Sequence, residues 1–235
     1  MKRALALGTA IGGALALTAC MPPHPHAHGP LRVISRLDCP NEQGDLKIVS
    51  QGGDGLSCVY NDSEGAVVDV SLVKLNGADP QTVLAPIEPA LEAEMPASST
   101  LTASKHVPGD HDNVDIDVPG VHIHADENGG AKVQTPGATV TASANGGAEV
   151  RGKGVNINAN DAGAQIRVND SGPGVRSIFL LVADNPGPHG YRFVGYQARG
   201  PASGPLVVVQ AKGKQGDHDD LDHDVKRLLD RNVGA

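Results

Sequence analysis

Pro119-Gly120-Val121-His122-Ile123-His124-Ala125 returns 17 residues later as Pro136-Gly137-Ala138-Thr139-Val140-Thr141-Ala142. It returns again as Lys153-Gly154-Val155-Asn156-Ile157-Asn158-Ala159. The second half of each unit repeats as well: Ala131-Lys132-Val133, Ala148-Glu149-Val150 and Ala164-Gln165-Ile166, each set off by Asn-Gly-Gly or Asp-Ala-Gly. A half-unit, Val114-Asp115-Ile116, precedes the first copy. Small apolar and polar residues alternate throughout, the period of a sheet with one wet face. The stretch therefore predicts β-structure of one of two kinds, a meander of hairpins or a short stacked solenoid. Asn128-Gly129 and Asn145-Gly146 are tight-turn signals and favour hairpins.

Outward from the repeat, residues 171–235 form a C-terminal β-meander and helix, of which 175–212 are the most hydrophobic part. Val175–Ala183, Gly190–Arg199 and Pro205–Lys212 read as a three-stranded meander, with turns at Asn185-Pro186-Gly187-Pro188 and Gly200–Gly204. Four of the five aromatic residues lie there, which places the main core. An amphipathic helix from Asp217 to about Asn232 follows. Leu221, Val225, Leu228 and Leu229 form its apolar stripe, and Gly234 its terminator.

On the other side, residues 31–95 read as a β-rich module with one helix. Candidate strands are Leu31–Leu37, Asp45–Ser50, Leu56–Asn61 and Ala66–Leu75. Asp79-Pro80 opens a helical stretch that Pro86 and Pro89 interrupt, so the better helix runs from near Pro86 to Glu94. Residues 96–113 are a polar linker, and 114–170 hold the repeat. The fold class is mainly β with some α.

Residues 1–19 have the layout of a secretory signal peptide: Lys2 and Arg3, an apolar run from Ala4 to Leu17, then small residues. The run is shorter than a transmembrane helix requires. Leu17-Thr18-Ala19-Cys20 resembles the lipobox of bacterial lipoproteins. The resemblance covers this segment alone. It implies cleavage before Cys20, acylation of that cysteine and attachment to the lipid bilayer at the periplasmic face of the envelope. Met21 is not the aspartate that retains enteric lipoproteins at the inner membrane, which favours the outer one. Residues 20–30, rich in proline, then form an extended tether. In the repeat, the regular spacing is similar to bacterial β-helical adhesin-like repeats, which favours the solenoid.

Loss of Lys2 and Arg3 takes the formal charge from -8 to -10, which argues against nucleic acid as a partner. With Cys20 assigned to lipid, Cys39 and Cys58 remain as a pair in an oxidising compartment and predict a disulfide.

Chemistry is concentrated where histidine lies beside aspartate. If Pro119-Gly120 turns a two-residue hairpin, Asp117 faces His122 and Asp115 faces His124. Opposed Cβ atoms sit about 5 Å apart. Two imidazoles and two carboxylates could then hold zinc, copper or nickel. The competing reading is a solvated sheet face with favourable Asp–His pairs. Weaker metal candidates are His24, His26 and His28 in the tether, and His218 with Asp222 at helical spacing. No cofactor beyond such a metal is expected.

Enzyme motifs such as G-x-S-x-G, H-E-x-x-H or a phosphate-cradling loop are not found. Ser71-Leu72-Val73-Lys74 matches S-x-x-K by letters but lies in an expected strand. The leading expectation is a non-enzymatic envelope lipoprotein that binds or scaffolds an envelope protein or ligand. Periplasmic metal handling comes second, and an unrecognised hydrolase last.

Overall fold

In a computed structural model, the described residues are 30–96, 114–118, 121–125, 131–134, 139–142, 148–160, 162–170, 174–214 and 219–234. The N-terminal strands are β1 (Glu42–Gln43), β2 (Leu46–Gln51), β3 (Ser57–Asn61) and β4 (Val67–Val73). Two helices follow, α1 (Pro80–Leu84) and α2 (Ile87–Glu94). The repeat supplies β5 (Val114–Val118), β6 (Val121–Ala125), β7 (Ala131–Gln134), β8 (Thr139–Ala142), β9 (Ala148–Gly152), β10 (Val155–Asn160) and β11 (Gly163–Asp170). Then come β12 (Gly174–Ala183), β13 (Phe193–Pro201), β14 (Leu206–Gly213) and the C-terminal helix α3 (Asp219–Val233).

Eleven strands form one sheet in the order β1-β2-β3-β4-β14-β13-β12-β11-β10-β9-β8, and β5-β6-β7 form a second. Every neighbouring pair is antiparallel. The fold is thus mainly β with some α, and the repeat strands pair as antiparallel hairpins and not as a solenoid, in two groups, β5–β7 and β8–β11. The last strand, β14, lies between β4 and β13. That position explains Leu206-Val207-Val208-Val209, an apolar run without alternation. All four are fully buried, because a central strand covered on both faces has no wet side.

The two faces are covered by different helices. Val207 and Val209 join Val68, Val70, Cys58 and Tyr60 under α3, whose Leu221, Val225, Leu228, Leu229 and Val233 complete the cluster. Leu206 and Val208 join Phe179, Leu181, Val194 and Tyr196 on the other face, under Leu84 of α1 and Leu91 of α2. Burying each of these large side chains contributes about 2 kcal/mol. Towards the repeat, Val150, Ile157, Ile166 and Val168 form a smaller cluster.

Local chemistry fixes the ends. Asp79 caps α1 by accepting from the amides of Gln81 and Thr82. Pro89 sits in the first turn of α2, where an amide hydrogen has no intrahelical partner anyway. Gly234, at φ 91°, ends α3 by donating to the Asp230 carbonyl. Where one helix was expected in residues 31–95, there are two, since the prolines divide the stretch.

Leu31–Leu37 is not a strand, contrary to the expectation for it. Its hydrogen bonds go elsewhere. The Arg32 amide donates to the Val233 carbonyl and the Leu37 amide to the Gly55 carbonyl, both at 2.9 Å. Asn232 donates to the Asp38 carbonyl and accepts from the Asp38 amide. The segment is spent on satisfying the end of α3 rather than on a sheet edge.

Cys39 and Cys58 lie at disulfide distance, with Cα atoms 6.4 Å apart. The bridge ties the segment before β1 to β3.

Candidate functional site

The first hairpin of the repeat has the register expected of it. Asp115 is opposite His124, Asp117 opposite His122 and Val118 opposite Val121. On the far side of β6, His122 is opposite Gln134 and His124 opposite Lys132. The pleat puts these six positions on one face of the three-stranded sheet.

The other candidates are dispersed. Cys20, His24, His26, His28 and His218 lie outside the described residues. Asp222 is exposed on α3 and accepts from Gln197 Nε2 of β13 at 2.7 Å, so it helps hold the helix to the sheet. Among the described side chains, no group of three or more His, Cys, Asp or Glu could hold a metal ion. The side chains of Asp115, Asp117, His122 and His124 are not among them. No described helix is long and apolar enough to cross a membrane.

The main sheet continues the repeat's polar pattern on β9, β10 and β11. Arg151 is opposite Asn156, which is opposite Arg167; Glu149 is opposite Asn158, which is opposite Gln165. Arg151 Nε donates to Glu149 at 2.5 Å, and Asn158 Nδ2 to Asn156 Oδ1 at 3.1 Å. These bonds run along single strands and leave the face a shallow polar surface.

One side of that surface ends at α2. Arg167 donates to Glu88 at 2.9 Å and to Glu92 at 3.2 Å, and its guanidinium lies 4.8 Å from the Phe179 ring centroid. Behind it, Ser177 Oγ donates to Asn169 at 2.6 Å and lies 3.4 Å from the Tyr196 hydroxyl. Burial pushes the Tyr196 phenol up from its ordinary value. Ser177 and Tyr196 are almost wholly buried, so this cluster is a polar seam under a helix. The sequence reading passed over Arg167. Its signal was Glu88 and Glu92, two like charges one helical turn apart that call for a shared cation.

A cavity of about 350 Å³ lies between β2, the β3–β4 turn, the end of β14 and α3. Asp45, Asp62, Glu64, Asp220 and Asp224 line it with Lys214, over Leu46, Phe193 and Leu221. Two of the acids have structural work. Asp62 accepts from the amides of Glu64 and Ala66, and buried Asp224 accepts from the Asp45 amide at 3.1 Å. Asp224 lies so close beneath Gly44 that a Cβ there would overlap its carboxylate, and Gly44 holds φ 56°.

Comparison with protein-family models, curated proteins and solved structures found no match to this chain.

Proposed function

We propose that this chain is a lipid-anchored envelope protein that acts as a β-sheet platform. Acylated Cys20 holds it to the membrane, and residues 20–30 space the folded body from the surface. The polar face of the repeat strands receives an envelope protein or ligand, and no reaction is catalysed. The observation that carries this reading is the polar surface of Glu149, Arg151, Asn156 and Asn158. It stands on strands whose opposite face is closed by Val150 and Ile157. A rigid apolar backing under a regular array of donors and acceptors suits recognition of an extended polar partner.

The test is site-specific photo-crosslinking in intact cells. A crosslinker at Asn156 is expected to give a discrete adduct. One at Val49, which is exposed on distant β2, is expected to give none. Equal patterns from the two positions would refute the platform.

A second reading is supported by the Asp115–His124 and Asp117–His122 register. Here the first hairpin takes up zinc, copper or nickel in the periplasm. Untagged protein would then bind one of these ions stoichiometrically, and Asp117→Asn with His122→Gln would abolish it. Absence of stoichiometric binding by the unaltered protein refutes this reading.

A further inference from the structure

The repeat's hairpins obey one rule of register. Asp117 is opposite His122, and Asp115 opposite His124. Advancing both members of each pair by 34 residues gives Arg151 opposite Asn156 and Glu149 opposite Asn158, the observed pairing of β9 with β10. On the other side of each unit, His122 opposite Gln134 advances by 17 to Thr139 opposite Arg151, again as observed. The pairing of β10 with β11 keeps the pattern with one residue fewer, Asn156 opposite Arg167.

One member of the series is missing. Advancing the first hairpin by 17 puts Gln134 opposite Thr139 and Lys132 opposite Thr141. That would be β7 on β8, which end the two sheets among the described residues. The sequence between the paired strands agrees: Val118 is opposite Val121 with Pro119-Gly120 between them, Gly152 is opposite Val155 with Lys153-Gly154 between them, and 17 residues after the first of these dipeptides stands Pro136-Gly137.

We propose that β7 pairs with β8 in this register and joins the two sheets into one of fourteen strands. Chain connectivity and charge make β7 the occupant of the β8 edge. Only four residues separate Gln134 from Thr139, so closing this loop costs little entropy and outcompetes a second copy of the chain. The pairing opposes no like charges. It also joins two strand edges that have no partner among the described residues, each a row of backbone groups that invites association. In the joined sheet, His122, Gln134, Thr139, Arg151, Asn156 and Arg167 occupy one cross-strand row. The Asp–His hairpin then becomes the outer end of the polar surface. The proposal does not depend on what that surface binds.

Disulfide trapping in the full chain tests it. Counting from the two-residue turn, Lys132 and Thr141 form a non-hydrogen-bonded pair, with Cα atoms about 4.5 Å apart, which a disulfide can span. Lys132→Cys with Thr141→Cys is expected to give an intramolecular bridge in the monomer. Its yield should match the Glu149→Cys/Asn158→Cys control, whose register is observed. Lys132→Cys with Val140→Cys, on opposite faces, should give little, and single-cysteine variants set the background. Disulfide-linked dimers as the main product would overturn the proposal in favour of a second copy. A yield no higher than the opposite-face pair, while the control bridges, would also overturn it. Hydrogen exchange on the unaltered chain gives an independent readout. Segments 131–134 and 139–142 should be protected like 148–152, and rapid exchange in both would contradict the pairing.

Discussion

Lys212 Nζ of β14 donates to Glu94 Oε1 at 2.7 Å, fastening the last strand of the sheet to the end of α2. His189 Nδ1 lies 2.5 Å from the other carboxylate oxygen. The Lys212 hydrogen bond, aided by His189 and opposed by partial burial, holds the Glu94 carboxyl below its ordinary value of 4.5. A depressed folded-state value stabilises the fold above the unfolded value. That contribution is present above pH 4.5 and is lost as the pH falls through the lower folded-state value. Thermal melts from pH 7 to pH 3 should therefore show a steeper acid loss for the native chain than for Glu94→Gln. Lys212→Met should cost about 1–2 kcal/mol at pH 7. Superimposable pH profiles for native and Glu94→Gln would contradict this role.

Tyr60 is wholly buried beneath α3, and its hydroxyl has no hydrogen-bond partner among the described residues. Burial, with a smaller push from Asp38, raises the phenol to about 12. An unpaired buried hydroxyl costs free energy that a ring hydrogen does not. Tyr60→Phe should leave denaturant stability unchanged or raise it by about 1 kcal/mol. It should also remove part of the loss seen between pH 10 and 12. Destabilisation by the substitution would mean that the hydroxyl is paired.

Arg199 of β13 stands opposite Arg176 of β12, two like charges across a strand pair. Arg199 is nearly buried and reaches Asp230 of α3 at 2.6 Å. Burial first, and then Arg199, lowers the Arg176 guanidinium from its ordinary value. Asp230→Ala removes the counter-charge from a buried cation and should cost about 3 kcal/mol. Asp230→Ala with Arg199→Met should recover much of it. A double variant no more stable than Asp230→Ala alone would contradict the pair's role.

Cys39 and Cys58 lie 19 residues apart in sequence. Their bridge should stabilise by about 3 kcal/mol in the chain-entropy account. Mass spectrometry of material exported to the periplasm should show no free thiol at either position. Reduction should lower the melting temperature, and two free thiols in native material would contradict the bridge.

The strands and the C-terminal helix were legible because alternation and the apolar stripe of Leu221, Val225, Leu228 and Leu229 are local patterns. The hairpin register of Asp115 and Asp117 with His124 and His122 was legible too, since a two-residue turn leaves one choice. The pairing of β4 with β14 was not. Its only trace is the unbroken run Leu206–Val209, which says that a strand is covered twice but not by what. Leu31–Leu37 misled because a short run with Leu, Val and Ile and no glycine or proline is compatible with a strand. What decided its path was the demand of the α3 carbonyls and Asn232 for partners, a need visible only after the helix is placed. The Arg167 seam was hidden similarly, since its partners lie far off in sequence on α2.

The most direct test of the envelope-tethered account compares the unaltered chain with Cys20→Ser after cell fractionation. The unaltered protein should sediment with membranes, and intact mass should place acyl chains on an N-terminal Cys20. Cys20→Ser should appear in the soluble periplasmic fraction with its β-sheet circular dichroism intact. A Cys20→Ser protein that still sediments with membranes, or an unaltered protein without acyl mass, would contradict the account.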